Sequence, residues 1–424
     1  MRPPPLSLAF TVWGLGAALY LVGFFHRVAP AVITRELAAE FELTAAALGN
    51  LSAFYFYTYV AIQVPTGVLV DRYGPRRILA LGAVGAAAGA LLFAGAHTFA
   101  LVGAGRLLIG ASVGVAFVAM MKLSTHWFHP SRFALVAGLA LGTGMFGAVC
   151  AGAPLRWLAD GFGWRSVILA TAAATGALAF IIWLVVRDDP QERGYASYLP
   201  AAHHDAPAHS MMGGLARVLR EPNVLLICFM NGGVSGPVLT FAGLWGVPFM
   251  TTHYGLSTAA AAGLCSLTLL AWGTGGPLLG ALSDRLKERK RLYGAGAGVA
   301  ALCWFVVLLV PGLPLALLAV LLTVAGLASG IIMIGYAYAK ESAPAALAGT
   351  TGGVINTGNM VGAMLMQPAV GWVLDRAWDG SLEAGLRVYS FPAYRYGFVM
   401  MLVWLVAVMI VAGFTRETHC RQQQ

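Results

Sequence analysis

Apolar runs of roughly 20 residues recur along the whole chain, separated by short polar segments. A run of this length can cross the ~30 Å hydrocarbon core of a bilayer as a helix. Because lipid offers no hydrogen-bond partners, such a run must satisfy its own backbone polar groups, which favours helices. We therefore predict an all-α membrane protein with twelve transmembrane helices. The predicted spans lie near residues 9–34, 45–69, 78–98, 101–123, 133–156, 163–186, 223–249, 257–281, 292–311, 313–338, 348–374 and 394–414.

Composition agrees with this prediction and argues against a soluble protein. Of the 424 residues, 59% are hydrophobic and 10% are charged, whereas soluble domains carry about 25% charged residues. The 53 glycines are typical of membrane helices, in which small residues allow close helix contacts. The five cysteines show no metal-binding spacing and four of them fall in predicted spans, so we interpret them as packing residues.

The basic residues are distributed unevenly between the two sides of the predicted helices. With the N-terminus inside, the cytoplasmic segments carry clusters such as 72–77 and 285–291, whereas the opposite segments carry isolated arginines such as Arg35 and Arg387. This asymmetry follows the positive-inside rule and predicts that both termini are cytoplasmic. The net charge of +9 is thus explained by topology and does not indicate nucleic-acid binding. We expect a multi-pass protein of a bacterial inner membrane, in contact with the lipid bilayer.

Two loops related by a long offset indicate an internal repeat. The segment 67–77 (GVLVDRYGPRR) follows the second span, and the segment 280–290 (GALSDRLKERK) follows the eighth, 213 residues later. A near-constant shift over this distance predicts that six spans are duplicated as six more. The expected organisation is two six-helix bundles, 1–186 and 223–424, joined by a polar cytoplasmic linker over 187–222.

Two cations are predicted inside the membrane, Arg27 in span 1 and Lys122 in span 4, while no carboxylate is predicted at the midplane. Ionisable groups at this depth are costly and are functional candidates by default. Buried cations without an acidic partner would be poorly solvated, and an incoming anion would relieve that cost. Arg27 and Lys122 are therefore candidate substrate-binding residues. The alternative for Lys122 is that its amine extends to the cytoplasmic surface.

Uncharged polar side chains also repeat at helical spacing. Tyr55, Tyr59 and Gln63 recur every four residues and therefore share one face of span 2. Such groups can line a polar pathway or join helices by hydrogen bonds, and both interpretations stay open. The same two interpretations apply to the candidates in spans 7, 10 and 11, which are Asn231, Tyr336, Asn356 and Asn359.

His26 precedes Arg27 directly, and Pro30 stands four residues after His26. Proline has no N–H to donate to the His26 carbonyl, so a kink and a free acceptor are predicted there. A histidine can titrate near physiological pH. His26 is therefore a candidate for proton coupling, with a purely structural role as the alternative.

The repeated loop resembles the signature loop of the major facilitator superfamily, Gly-x-x-x-Asp-Arg-x-Gly-x-Arg-Arg. The segment 106–110 (RLLIG) resembles the Arg-x-x-x-Gly element of the same family. The resemblance implies alternating access, in which two helical bundles rock around a central site. It also implies a cytoplasmic gate in which the Asp71 carboxylate faces a helix N-terminus of the other half. The gate residues expected from the two loops are Asp71, Arg72, Arg76, Asp284 and Arg285.

A narrower resemblance, to the anion:cation symporters and organophosphate:phosphate antiporters, rests on Arg27, on the Tyr59-x-x-x-Gln63-x-Pro65-x-Gly67 pattern and on 122–128 (KLSTHWF). It implies substrates that are organic acids or sugar phosphates. The symporters carry an acidic proton carrier where this chain has His26. The antiporters carry an arginine in span 7, and no arginine occurs here between 223 and 250. Bidentate capture by Arg27 suits a carboxylate as well as a phosphate.

Four functions stay open on this basis. The first is secondary transport of a small organic anion, coupled to protons or to a counter-anion, by a protein expected to be monomeric. A multidrug exporter would need a buried acid, and a metal-ion exporter is suggested by the 15 methionines, such as Met360 and Met364, and by His253. The fourth is a membrane sensor that does not transport. No nucleophile–base set occurs, so neither an enzyme nor a cofactor or resident metal is expected.

Overall fold

The structure is a computed structural model that describes residues 2–198, 211–344 and 347–422. His203, His204 and Asp205 of the predicted linker lie outside the described residues. The linker ends in a short helix, Met211–Leu219, which stands directly before span 7.

Within these ranges the chain forms twelve helical spans, as the sequence predicts. Eleven are long and apolar enough to cross a membrane. Spans 1 to 10 and span 12 are Leu6–Val32, Ala45–Tyr73, Pro75–Gly95, Phe99–Trp127, Pro130–Phe162, Trp164–Val185, Pro222–Tyr254, Thr258–Leu286, Lys290–Leu309, Leu315–Glu341 and Phe391–Phe414. Span 11 is the helix Ala348–Arg376, which is as long as span 2 but contains Asn356, Asn359 and Gln367. The all-α membrane fold is confirmed.

Several spans contain a local break, and short elements connect them. Pro237 lies just before a π-helical turn, Phe241–Trp245, in the middle of span 7; proline removes a backbone donor at such a place. The separate helices within spans 4, 5, 7 and 10 are Phe99–Val113 and Ala116–Trp127, Phe133–Cys150 and Ala153–Phe162, Pro222–Thr240 and Gly246–Tyr254, and Leu315–Ser329 and Ile332–Glu341. Span 5 begins with the 3-10 turn Pro130–Arg132. The connecting elements are the helix Thr34–Phe41, the 3-10 turn Pro190–Arg193, and the antiparallel strands Leu382–Glu383 and Leu386–Arg387.

Residue contacts divide the chain into two compact units. The first unit is Met1–Arg27, Tyr57–Cys150 and Leu158–Met211, and the second is Val28–Phe56, Ala151–Trp157 and Met212–Gln424. The second unit therefore includes the end of span 1, the start of span 2 and an internal segment of span 5, together with the C-terminal half. The predicted bundles 1–186 and 223–424 follow the sequence repeat and stay a prediction.

Glycines allow the closest helix contacts inside each unit. In the first unit, a Cβ added to Gly105 would clash with the backbone of span 3, 2.7 Å from the nitrogen of Phe93. In the second unit, a Cβ added to Gly362 of span 11 would clash with the carbonyl of Gly232 in span 7. Such contacts need glycine because helices in lipid associate through close packing of small residues.

A carboxylate caps the start of span 3, and another caps the start of span 9. Asp188 accepts a hydrogen bond from the Arg76 N–H at 2.6 Å, and Glu417 accepts from the N–H groups of Arg289 and Lys290 at 3.0 and 2.8 Å. A helix N-terminus stabilises negative charge because its N–H groups are unpaired and its dipole is positive there. Arg76 and Arg289 are separated by 213 residues, as are the repeated loops. The internal repeat therefore extends to the contacts made after spans 6 and 12.

Acid titration tests the cap at Glu417. Burial raises the pKa of its carboxyl, but hydrogen bonds from the N–H groups of His419, Arg289 and Lys290 outweigh burial, and the net pKa is lowered. A lowered pKa in the folded state adds stability that is present above the unfolded-state pKa of about 4.3 and is lost as pH falls through the folded-state value. We expect the melting temperature of Glu417→Gln to fall less steeply below about pH 4 than that of wild type or of the exposed control Glu383→Gln. Identical acid profiles for all three proteins would contradict the cap.

Candidate functional site

Arg27 of span 1 is buried in the first unit, with 3% of its surface exposed. Its guanidinium carbon lies 4.2 Å from the ring centroid of Phe24 and 5.2 Å from that of Tyr59. Aromatic faces attract a cation and favour stacking of the planar guanidinium. The structure thus brings together two residues that the sequence proposes independently, Arg27 and Tyr59.

The other members of the polar face of span 2 are also buried. The Gln63 amide donates to the carbonyl of Gly114, at the break in span 4, over 3.3 Å. Tyr55 is fully buried in the second unit, and its ring packs edge-on against Phe56 with centroids 5.3 Å apart. Gln63 therefore joins two helices in this structure, and the substrate-binding roles of Gln63 and Tyr55 stay predictions.

The backbone beside Arg27 is fixed by a second arginine. The predicted free acceptor at the His26 carbonyl receives a hydrogen bond from Nη1 of Arg106 in span 4, at 2.6 Å. Arg106 is itself buried, with 1% of its surface exposed. Pro30 cannot donate to this carbonyl, so the buried guanidinium takes the place of the missing backbone donor. Arg106 thereby holds the segment of span 1 that carries Arg27.

Substituting Arg106 should affect both stability and transport. Arg106→Leu leaves the carbonyl of His26 without this donor, and a buried unsatisfied group costs about 1–3 kcal/mol. We expect a lower melting temperature and a raised KM for the transported solute, measured on the same preparation. Arg106→Lys retains a cationic donor and should recover part of both losses. Arg106→Leu that matches wild type in both measurements would contradict this role.

The imidazole of His26 has different surroundings from the carbonyl of the same residue. The imidazole is 2% exposed, and its Nε2 atom has no hydrogen-bond partner among the described residues. Phe25 packs edge-on against the ring, with centroids 5.4 Å apart. A charged imidazole would be poorly solvated in these surroundings, which favours the structural interpretation. Proton coupling through His26 stays a prediction.

Lys122 has an acidic partner, contrary to the expectation from sequence. Its Nζ lies 2.7 Å from Oδ1 of Asp71 and donates to the Val70 carbonyl at 3.2 Å. Span 2 extends to Tyr73, so Asp71 stands in its last turn within reach of span 4. The contact of Asp71 with a helix N-terminus of the other half, which the family resemblance implies, stays a prediction. The pair is partly exposed, so its contribution to stability is small.

The other predicted gate residues make local contacts. Arg76 donates through Nε and Nη2 to the carbonyl of Trp183 at 3.0 and 2.7 Å, and its guanidinium lies over the Trp183 ring. This contact joins span 3 to the end of span 6.

The three remaining gate candidates differ in their surroundings. The guanidinium of Arg72 lies 5.4 Å from the Tyr73 ring centroid. Asp284 accepts a hydrogen bond from Arg289 at 2.7 Å, and Arg285 is exposed. Their gating role stays a prediction.

The second unit contains a cluster of uncharged polar groups formed by Tyr336, Asn356 and Asn359. The Tyr336 hydroxyl donates to Oδ1 of Asn356 and accepts from Nδ2 of Asn359, each at 2.9 Å. Oδ1 of Asn359 is buried without a hydrogen-bond partner among the described residues. The sequence proposes all three residues, and the structure brings them together as a set of donors and acceptors without a formal charge.

Asn231, the fourth candidate of this half, has a different environment. It is fully buried, accepts from the Tyr293 hydroxyl at 2.7 Å and donates to the Ile332 carbonyl at 3.3 Å. Ser235, one turn later, donates to the carbonyl of Asn359 at 2.7 Å. These bonds join spans 7, 9, 10 and 11, so Asn231 is a packing residue in this structure and its contact with a solute stays a prediction.

Sequence patterns did not reveal the ion network around Arg289. Its guanidinium donates to both carboxylate oxygens of Glu341 at 2.6 and 3.2 Å and to Asp284 at 2.7 Å. Glu341 also accepts from the Thr418 hydroxyl at 2.6 Å. The only sequence signal is that Arg289 lies in the repeated loop, since Glu341 is 52 residues away.

Twelve helical spans, a buried arginine and a cluster of uncharged polar groups are together typical of a membrane transporter. The chain belongs to the Major Facilitator Superfamily, which it matches over residues 8–367. It is thus a multi-pass membrane transporter and not an enzyme, as the sequence predicts.

Several curated relatives are named as carriers of anions. A probable galactarate/D-glucarate transporter of Bacillus subtilis is 24% identical over 88% of each chain. A probable nitrate/nitrite transporter of Mycobacterium tuberculosis is 24% identical over 100% of this chain and 98% of the relative. A D-galactonate transporter of Escherichia coli is 22% identical over 93% and 91%.

Solved structures show the same fold. A bacterial homologue of the human lysosomal transporter Spinster, in an inward-facing and unoccupied conformation, superposes with a TM-score of 0.73 and 18% identity, over 97% of this chain and 98% of that chain. A nucleoside transporter variant superposes with a TM-score of 0.71 and 14% identity, over 95% and 99%. At these identities the likeness supports the fold alone.

Proposed function

We propose that the protein is a secondary active transporter of a small organic anion, with Arg27 as the group that binds its charge. The observation that carries the proposal is a guanidinium buried in span 1, lying over two aromatic rings, on a backbone fixed by Arg106. A charge maintained at this depth is costly and is typical of a substrate site. Because Lys122 pairs with Asp71, we take Arg27 as the principal anchor.

Within the organic anions, we favour a hydroxylated carboxylate. Hydroxyl groups need uncharged donors and acceptors, and Tyr336, Asn356 and Asn359 form a set of that kind. The galactarate and galactonate carriers among the relatives support the same class. Transport is proposed across the bacterial inner membrane by alternating access, with both termini cytoplasmic and with protons or a counter-anion as the coupled species.

Uptake into proteoliposomes tests this proposal. Purified protein is given radiolabelled galactarate, D-galactonate, a sugar phosphate, nitrate and the uncharged polyol galactitol, each compared with protein-free vesicles. We expect uptake of the hydroxylated carboxylates and no uptake of galactitol. Preloading the vesicles with the same anion, or imposing a pH gradient, then separates exchange from proton coupling. Galactitol uptake equal to galactarate uptake would contradict an anionic substrate.

The alternative functions predict other outcomes, in uptake assays or in separate tests. A nitrate carrier, suggested by the full-length nitrate/nitrite relative, would take up nitrate alone. A metal-ion exporter would respond to a soft metal such as Cu(I), although the described residues contain no group of three or more His, Cys, Asp or Glu side chains able to hold a metal. Resistance to lipophilic cations would favour a multidrug exporter, and ligand binding without flux would favour a sensor.

A further inference from the structure

We propose that Asp375 is an outer latch: its carboxylate holds the start of span 2 to the end of span 11, and the outer entrance opens only when this contact is released. Outer here means the side opposite the cytoplasmic basic loops, as the arginine distribution predicts. The proposal concerns the conformational cycle and is independent of which solute is carried. All residues of the latch belong to the second compact unit.

The core of the latch is a remote helix cap. Oδ1 of Asp375 accepts the Ala45 N–H at 3.0 Å, and Oδ2 accepts the Ala46 N–H at 2.8 Å. These are the first two N–H groups of span 2, which have no partner within the helix. The carboxylate therefore uses both of its oxygens at the positive end of the helix dipole.

The segment between spans 11 and 12 completes the latch. The Tyr389 hydroxyl donates to Oδ1 of Asp375 at 2.8 Å, and Nη1 of Arg387 lies 3.3 Å from the same oxygen. The Ala45 N–H lies 3.1 Å from the Tyr389 oxygen as well. Burial, together with the hydrogen bond to Asp375, raises the pKa of Tyr389, so its hydroxyl remains a proton donor. Arg387 stands at the end of the short hairpin, which fixes its position beside Asp375.

Behind the latch the two helices touch backbone to backbone. A Cβ added to Gly49 of span 2 would lie 2.6 Å from the Gln367 carbonyl, and one added to Gly371 of span 11 would clash with the Ala45 carbonyl. Ala45, Gly49 and Ala53 recur every four residues and share this face of span 2. At both glycines the nearest atoms of the other helix are backbone atoms, so no side chain has to be withdrawn there when the helices separate.

A local cap remains at the start of span 2 when the latch is released. The Thr44 hydroxyl accepts the Ala47 N–H at 3.2 Å, as an ordinary N-cap does. Spans 8 and 12 have local caps of the same kind, from Ser257 and Ser390. Asp375 is 330 residues away from Ala45, so its contribution is to join two distant helices. Water can replace it at the exposed N–H groups when the helices separate.

Thiol labelling tests the latch without any substrate. Ala53→Cys places a reporter on the contacting face, one turn below Gly49, at a position with 0% exposure. In a full-length background with the five native cysteines replaced by alanine, a membrane-impermeant methanethiosulfonate reagent is added from outside to cells expressing the protein. We expect slow labelling in this parent and labelling at least tenfold faster when Asp375→Asn is added. Asp375→Asn keeps the shape of the side chain and removes its charge and one acceptor.

Two further variants serve as a control and as a second test of the latch. Asp379→Asn, an exposed acid in the same outer segment whose carboxylate accepts from Ser381, should label at the parent rate. Tyr389→Phe removes one hydroxyl, keeps the carboxylate and should label several times faster, which provides a second test if Asp375→Asn fails to fold. Asp375→Asn or Tyr389→Phe that folds and labels at the parent rate would overturn the latch, as would labelling that occurs only from the cytoplasmic side. Neither result depends on the anion proposal, which uptake assays test separately.

Discussion

Arg27→Ala should reduce uptake of the transported anion at least about 100-fold while the protein remains folded and inserted. Hydrogen bonds to charged groups contribute about 1.5–3 kcal/mol each, and a guanidinium can make two to one carboxylate. Each 1.4 kcal/mol corresponds to about a factor of ten. The measurement is the initial uptake rate over a range of anion concentrations, which gives kcat/KM for wild type and variant.

Two matched variants separate the charge of Arg27 from its shape. Arg27→Lys retains the charge and loses the planar fork, so we expect roughly a tenfold loss. Arg395→Gln removes an exposed arginine at the start of span 12 and should leave uptake unchanged. Arg27→Ala that transports as fast as Arg395→Gln would show that span 1 does not supply the anchor.

Arg289→Ala should lower the free energy of unfolding by about 3–5 kcal/mol, because removing one partner of a buried ion pair leaves the other charge uncompensated. Arg289 has a side chain that is 5% exposed and pairs with Glu341, which is 15% exposed. The equilibrium unfolding of purified protein in a denaturing detergent series measures the loss.

The matched control for Arg289 lies two residues further along the chain. Arg291 is 82% exposed and pairs with Glu288 at 2.9 Å, and Arg291→Ala should change stability by no more than about 0.5 kcal/mol. The double variant Arg289→Met with Glu341→Leu removes both charges and should recover part of the loss. Equal stability of Arg289→Ala and Arg291→Ala would contradict a structural role for the network.

Apolar run length predicts most of the fold because lipid enforces helices. The predicted spans agree with the helices of the structure, and this includes the polar span 11. The position of span 11 in the repeat is a better indication of a span than its hydropathy. The repeat also extends to contacts that the sequence pattern does not show. A carboxylate caps the start of the helix at Arg76 and another does so at Arg289. The capping residues themselves, Asp188 and Glu417, are not related by the 213-residue shift and could not be found in this way.

The candidate site was predictable where neighbours in space are also related by helical spacing. Pro30 predicts the free His26 carbonyl, and the four-residue spacing in span 2 predicts a shared polar face that includes Tyr59. The donor at that carbonyl, Arg106, comes from span 4, and only the family element around it singles it out in the sequence.

Long-range pairs of charges could not be predicted from one sequence. Lys122 and Asp71 lie 51 residues apart, and whether a lysine meets an acid depends on where two helices end. The same limit applies to Asp375, which the sequence presents as an ordinary acid at the end of a span. Its partners come from the start of span 2 and from the segment after span 11.

Ligand-induced thermal stabilisation tests the central claim, that Arg27 binds the charge of an anionic solute, most directly. A solute that binds the folded state raises the melting temperature by mass action, so galactarate and galactitol compare the same carbon skeleton with and without carboxylates. We predict that galactarate stabilises wild type and not Arg27→Ala, and that galactitol stabilises neither. Equal stabilisation of both proteins by galactarate, or of wild type by galactitol, would contradict the claim.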